Sequence, residues 1–231
     1  DQDKTEKVKS FLKQNFTLTR SDFKENLVSS NVFKKLSLKV KKEIVTLGVP
    51  EIDPTAIVGT YIEPEEWDSF ISKKDVITID TRNDFEVELG TFEGSVNPQT
   101  VSFHEFSEWW KDTGKALKNK KIAMFCTGGI RCEKATSLLK SEGLEEVYHL
   151  KGGILNYFDK VGNSEKSTWK GDCFVFDQRV TVNSHLEPGD FELCHACRSP
   201  LRLTDKNHEH YEKGISCHKC FGTKTTKKIL S

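Results

Sequence analysis

Phe125-Cys126-Thr127-Gly128-Gly129-Ile130-Arg131-Cys132-Glu133-Lys134-Ala135 is the stretch that decides the fold of this chain. Its first cysteine ends an apolar run, Lys121-Ile122-Ala123-Met124-Phe125, and four residues separate that cysteine from an arginine. An amphipathic segment from Arg131 to Lys140 follows at once. The pattern predicts strand, tight loop and helix, with a thiol where the loop begins. Two glycines free the loop backbone to turn its N–H groups toward one point. A helix N-terminus and the Arg131 guanidinium add positive potential there. A thiol at that point is expected to ionise readily and react as thiolate. A buried cysteine after a strand is commonly inert, but inert packing accounts for neither the two glycines nor the arginine at the far lip. Cys126 is therefore the candidate nucleophile and Arg131 its electrostatic partner.

Outward from this loop, apolar strand-like runs at 75–80, 121–126 and 146–150 alternate with helical patterns at 64–73, 102–112, 131–142 and 153–160. Pro64-Glu65-Glu66-Trp67 opens a helix, with proline early and acids in the first turn. The alternation predicts an α/β domain over 53–161, a parallel sheet wrapped by helices. Sites in such sheets lie at the carboxyl ends of strands, where Asp80, Arg82 and Cys126 fall. Residues 1–52 hold a short helical face, Val8, Phe11 and Leu12, and a strand-like alternation at Leu36, Leu38 and Val40. That is too little to bury a core alone, so it is expected to be the tail of a small α/β domain or an extension packed on the next one. A polar linker at 162–167 leads into a cysteine-rich segment over 168–231, whose last residues are expected to fray.

The chain has 231 residues, enough for one large or two small domains, and a formal net charge of +0. Contact with nucleic acid must then come from local patches and not from a global field. No apolar run approaches membrane-spanning length and no signal-peptide pattern is present, so no membrane partner is expected. The chain opens on Asp1 and is expected to be part of a longer protein. Its seven cysteines are an odd number. They suit a reducing, cytoplasmic compartment better than a secreted disulfide framework.

Four of them form two knuckles, Cys194-His195-Ala196-Cys197 and Cys217-His218-Lys219-Cys220. Two residues between cysteines let both sulfurs of a tight turn reach one ion, and a second such turn completes a tetrahedron. Cys194, Cys197, Cys217 and Cys220 are thus the candidate ligands of a structural zinc; two redox pairs or an unmetallated remnant are the alternatives. His195 and His218 are expected to face solvent or RNA, because four sulfurs already fill the site. A closed four-sulfur site assigns the metal to folding and not to catalysis.

The Cys126 loop resembles that of the rhodanese superfamily, in which Cys, four residues and Arg form a ring of amides around a sulfur. Tyrosine-phosphatase loops place five residues between Cys and Arg, so phosphatase activity is disfavoured. Ile79-Asp80-Thr81-Arg82-Asn83-Asp84-Phe85-Glu86 is similar to the superfamily's strand ending in Asp-x-Arg. Gly90-Thr91-Phe92-Glu93-Gly94-Ser95-Val96-Asn97 resembles its Gly-His-Ile-x-Gly-Ala-x-Asn turn, with Thr91 in place of the histidine. Tyr148-His149-Leu150-Lys151-Gly152-Gly153-Ile154 resembles the closing strand-to-helix signature. Together with Lys42-Glu43-Ile44-Val45-Thr46-Leu47-Gly48, Cys173-Phe174-Val175-Phe176-Asp177 and the first knuckle, these motifs resemble the bacterial rhodanese-like tRNA uridine hydroxylases over about residues 35 to 220. Members have a small ferredoxin-like domain, the rhodanese domain and a cysteine-rich tail, which makes residues 1–52 a remnant of the first.

The resemblance implies oxygen-dependent hydroxylation of the wobble uridine of tRNA at carbon 5, giving 5-hydroxyuridine. The family's essential cysteine falls on Cys126. Arg131 and the intervening Thr127, Gly128, Gly129 and Ile130 fall on its anion-binding loop. Molecular oxygen is then a co-substrate and tRNA the partner; no stable protein partner is implied. No haem, flavin or iron motif is legible. Cys126 is expected either to add to carbon 6 of uracil or to be oxidised itself, with Cys132 as resolving thiol or as a small residue packed inward. Asp80, Arg82 and Glu86 read first as structural charges, with Arg82 also a candidate contact for the RNA. Lys39, Lys41, Lys42, Lys219, Lys224, Lys227 and Lys228 are candidate phosphate contacts, and Trp109, Trp110 and Trp169 candidate stacking platforms; solvated lysines and packed tryptophans are the commoner case. Two other functions use the same residues: a thiosulfate-type sulfurtransferase carrying a persulfide on Cys126, and a non-enzymatic zinc-bearing adaptor, for which an activated thiol has no purpose.

Overall fold

A computed structural model describes residues 2–19, 23, 32, 33, 35, 37, 39–117, 119–162 and 164–223. Two compact units divide between Lys35 and Leu36. The first holds helix α1, Gln2–Asn15, on which Val8 and Phe11 are exposed. Leu36 and Leu38 of the expected amino-terminal strand lie outside the described residues, as do Lys224, Lys227 and Lys228 of the tail; Val40 is exposed irregular backbone.

The second unit is built on a four-stranded sheet in the order β1-β5-β4-β2, all pairs parallel. Its strands are β1 (Thr60–Ile62), β2 (Val76–Asp80), β4 (Lys121–Phe125) and β5 (Val147–Leu150). Central β4 is buried on both faces, which is why it reads as an unbroken apolar run. Alternation assigns its side chains to two cores. Ala123 and Phe125 join Trp67 of α2 (Pro64–Ile71) and Ile154, Tyr157 and Phe158 of α6 (Gly153–Val161). Ile122 and Met124 join Phe106 and Trp110 of α4 (Phe106–Asp112) and Cys132, Ala135, Leu138 and Leu139 of α5 (Ile130–Ser141). The spacing within α5 and α6 is the helical one that brings those side chains onto one face. Short α3 (Asp84–Val87) and strand β3 (Gly90–Phe92) follow β2, and neither is long enough to have announced itself as a periodic pattern.

Two expected boundaries are crossed by packing. Leu47 is fully buried in the α4–α5 core, with Val45, Val49 and Ile52 against it, so residues 45–52 pack with the domain expected to begin at 53. At the other end, β6 (Trp169–Gly171) pairs antiparallel with β3, and Trp169 packs 5.1 Å from Phe92. Phe92 also meets Phe125 at 4.8 Å and Tyr157 at 4.9 Å, so one ring joins sheet, helix and tail. The tail continues through hairpin β7 (Cys173–Phe174) and β8 (Thr181–Val182), then β9 (Phe191–Leu193) and β10 (Pro200–Arg202), both pairs antiparallel.

Candidate active site

The carboxyl end of β4 delivers Cys126 into a loop that α5 closes. Gly129 is the N-cap of α5 with φ 93, a left-handed conformation that suits glycine, and its N–H donates to Cys126 Sγ at 3.1 Å. A second helix supports the loop from beneath. The N–H groups of Ile154 and Leu155, in the first turn of α6, donate to the carbonyls of Cys126 at 3.0 Å and Thr127 at 3.1 Å. That approach requires glycine at 153: a Cβ there would lie 2.5 Å from the Cys126 carbonyl oxygen and 2.6 Å from Gly129 N. Gly152-Gly153 is therefore part of the site, although no atom of it faces the thiol.

Arg131, 9% exposed, closes the ring. Its guanidinium forms a bidentate pair with fully buried Glu86, Nη1 to Oε2 at 2.7 Å and Nη2 to Oε1 at 2.9 Å. Thr127 Oγ1 accepts from Arg131 Nη2 at 3.3 Å and donates to Glu86 Oε1 at 3.4 Å. Glu86 is held by the short turn that follows β2, where it also accepts from the Asn83 N–H at 3.1 Å. The planar fork of arginine suits such a carboxylate, and the pair fixes the guanidinium beside the sulfur.

Burial pushes the Cys126 thiol up. The hydrogen bond with the Cys132 thiol, the Arg131 charge and the N–H groups of Cys132 and Gly129 outweigh it and bring the pKa down to about 6. Cys132, in the first turn of α5 and fully buried, is driven the other way by burial and by its bond to Cys126. Its sulfur lies 3.5 Å from Thr81 Oγ1, whose hydroxyl also reaches the Phe125 carbonyl at 3.0 Å. The two thiols thus share one hydrogen bond, with the charge on Cys126.

Of the expected site residues, the structure gathers Cys126, Thr127, Gly128, Gly129, Ile130, Arg131 and Cys132 at one strand end. It removes Arg82 from any contact with RNA. Arg82 is 0% exposed and tied to Asp80 at 2.9 and 2.6 Å and to the carbonyls of Gly90 at 2.5 Å and Glu86 at 3.3 Å. An arginine so enclosed stitches β2 to α3 and β3. Thr91, where the resembling families carry histidine, donates to Asp80 Oδ2 at 2.8 Å and bonds Ser95 Oγ at 2.9 Å, completing the same network. Trp110 is fully buried with its indole N–H on Glu142, and Trp169 lies in the Phe92 core, so neither is a stacking platform. Lys219 pairs with Glu88 at 2.5 Å.

His149 enters the sequence reading only as part of the closing strand-to-helix stretch, with no role assigned to it. It is buried on β5 with its ring 4.2 Å from Tyr61, and burial, opposed by the Cys132 backbone, lowers its pKa to about 4. A neutral ring against the start of α5 adds bulk but no charge to the neighbourhood of the thiols.

The four knuckle cysteines come together as spaced. Their sulfurs all lie within 4.8 Å of one another, with Cys197–Cys217 and Cys217–Cys220 both at 3.7 Å. Zinc–thiolate bonds of about 2.3 Å in a tetrahedron put sulfurs about 3.8 Å apart, so the cluster fits that ion. Burial raises Cys197, but its contacts with Ser199 and the neighbouring thiols bring it down to about 7; Cys217 is pushed up to about 12, first by burial. His195 is exposed as expected. His218 is half-buried against His208, with ring centroids 5.4 Å apart, and its Nδ1 is unpartnered.

Residues 63–160 match the family model of the rhodanese-like domain. The chain is 52% identical over 202 residues to a protein of Acaryochloris marina strain MBIC 11017 named tRNA uridine(34) hydroxylase, across 87% of this chain and 65% of that protein. The chain therefore spans a little under two thirds of the length of that relative. Among solved structures, a rhodanese-related protein from Thermoplasma volcanium is 25% identical with TM-score 0.36, covering 44% of this chain and 93% of its own. The rhodanese-like domain of an Anabaena sp. protein is 18% identical with TM-score 0.39, covering 48% and 78%.

Proposed function

We propose, from residues 63–160 that match the rhodanese-like domain and a chain similar to a tRNA uridine(34) hydroxylase, that it hydroxylates carbon 5 of the wobble uridine of tRNA with Cys126 as the essential group. The observation that carries this reading is one thiol lowered to about pKa 6 inside a loop whose donors are already aimed at it. A thiolate is the nucleophilic form, and it is populated here at neutral pH. Added to carbon 6 of uracil, it would raise the electron density at carbon 5, the position that receives oxygen. Loss of the carbon 5 proton with departure of the thiolate then restores the ring. Molecular oxygen would enter at carbon 5 as a hydroperoxide, and the Cys126 and Cys132 thiols would supply the two electrons that cleave its O–O bond to hydroxyl and water, closing to a disulfide. Cys132, bonded to Cys126 and held as thiol, would resolve an oxidised or persulfidated Cys126 as a disulfide.

The four-cysteine cluster has the donor set and spacing for a structural zinc, which would be held by Cys194, Cys197, Cys217 and Cys220 and would fix the turns of the tail. No helix among the described residues is long and apolar enough to cross a membrane.

The test is C126S in cells, with tRNA digested and analysed by mass spectrometry. The expected result is loss of 5-hydroxyuridine and of modifications built on it, with the variant folded. Unchanged levels overturn the reading. Loss of cyanide-dependent thiocyanate production alone, with hydroxyuridine intact, would assign the loop to sulfur transfer.

A further inference from the structure

Beside the Cys126 loop lies a cleft of about 440 Å³ lined by Phe85, Phe174, Phe176, Asp177, Leu193 and Arg198 among others. Its volume is that of a small-ligand site. Three of these side chains form an aromatic ladder. Phe85 meets Phe174 edge-on at 5.1 Å, and Phe174 meets Phe176 edge-on at 5.1 Å. Phe85 is the neighbour of Glu86, and the Arg131 guanidinium lies over the Phe176 ring at 5.9 Å. The cleft and the thiol loop therefore share a wall.

Phe176 is 67% exposed, and Ile130, on the lip of the loop, is 44% exposed. An exposed phenyl ring propped on a buried one offers a flat face to whatever enters. Asp177 brings no net negative charge, because Arg179 holds it at 2.6 Å, while Arg198 stands exposed on the cleft wall. A flat aromatic face with a free-standing cation beside it, and no uncompensated anion, suits a nucleobase carrying its phosphate. An acidic or purely apolar peptide would use only half of these features.

We propose that this cleft holds an unpaired base of the tRNA strand at or next to the wobble uridine, stacked on Phe176, with Arg198 meeting its phosphate. The inference rests on the tRNA reading above and deepens it: the cleft, not the narrow Cys126 loop, supplies most of the grip on the anticodon. A base stacked there leaves its strand passing over Arg131, which brings the neighbouring nucleotide to the mouth of the thiol loop.

The test uses the whole chain and a synthetic anticodon stem-loop RNA with uridine at the wobble position. F176A is expected to weaken binding roughly 5- to 150-fold, the range found when stacking aromatics are truncated, and F176W to restore it. R198Q is expected to weaken binding less and to reduce the salt slope by about 0.7, one phosphate contact on a single strand. In parallel, 5-iodouridine at the wobble position or either neighbour is irradiated with the wild-type chain. Crosslinks within residues 174–177 support the proposal. It is overturned by crosslinks confined elsewhere, by equal affinity of F176A and wild type, or by no binding of this RNA at all. Hydroxyuridine surviving in C126S cells would instead remove the activity and leave the stacking result standing.

Discussion

The Cys126 loop surrounds one ionised sulfur with hydrogen-bond donors and a cation, whereas the carboxy-terminal knuckles bring four sulfurs within 4.8 Å of each other with no side-chain cation among them. Both the Cys126 loop and the first knuckle are tight turns that follow short strands, β4 and β9. The difference lies in what balances negative charge. At Cys126 the balance is covalently part of the protein: backbone N–H groups, and a guanidinium fixed by Glu86. At the knuckles the contacts of Cys197 with Ser199 and the neighbouring thiols outweigh its burial and bring it down to about 7, whereas burial leads at Cys217 and pushes it up to about 12. A site that supplies its own counter-charge can leave its sulfur available for reaction. We propose that the knuckles borrow theirs from a metal ion, to which their sulfurs would be given up.

The widest gap between the two regions should appear on chelation. Stripping metal from the reduced protein, or making C217S, is expected to release hydrogen-exchange protection across 191–223 while β2, β4 and β5 stay protected. Apparent metal-binding energies of small zinc modules, about 10–16 kcal/mol, leave no room for a partial effect. Retained protection, or absence of zinc from freshly purified protein, would end the contrast.

The next largest effect belongs to the loop's internal cation. R131A leaves Glu86 charged and buried without its partner, a loss of about 3–5 kcal/mol in stability. It also withdraws a positive charge from the sulfur, so the Cys126 pKa should rise. Denaturant melts and thiol titration on one variant read the two consequences separately. An unchanged thiol pKa would shift the activation onto Cys132 and the backbone alone.

Alkylation kinetics sharpen the comparison further. The Cys126 rate should rise through pH about 6 and level off above it. An ordinary thiol with pKa about 8.5 is only about 3% ionised at pH 7. Because the folded-state pKa is the lower one, the stability this thiolate contributes is present above about pH 9 and is lost as pH falls through about 6. A rate that climbs only beyond pH 8 would contradict the geometry. The smallest effect expected is from T91V, which removes one hydrogen bond to buried Asp80 and should cost about 1 kcal/mol with the thiol titration unmoved.

The parts of this architecture that were legible are those set by local chemistry. Lys121–Phe125 reads as a central strand because both its faces are buried, and α5 and α6 read as helices because their apolar residues fall at helical spacing. The knuckles read from spacing alone. What could not be read is set by contacts distant in sequence. Arg82 read first as a structural charge, but whether it could also reach RNA is decided by the carbonyl of Gly90 and the carboxylate of Asp80, which enclose it inside the fold. Nothing local marks His149 as buried, and nothing local says that Gly153 is needed because the Cys126 carbonyl comes within a Cβ's reach. The aromatic cleft likewise requires Phe85 and Phe174, far apart in the chain, to meet.

The pairing of β3 with β6 reaches beyond packing. Gene-level dissection often assumes that a conserved catalytic module can be cut free at the nearest polar connector, here 162–167. A chain ended there would lose the indole that plugs the Phe92 cluster and would present a bare row of amides and carbonyls along β3, an invitation to intermolecular association. Residues 169–182 are thus an integral wall of the sulfur-bearing module, and inherited truncations that remove them should compromise solubility before they compromise chemistry.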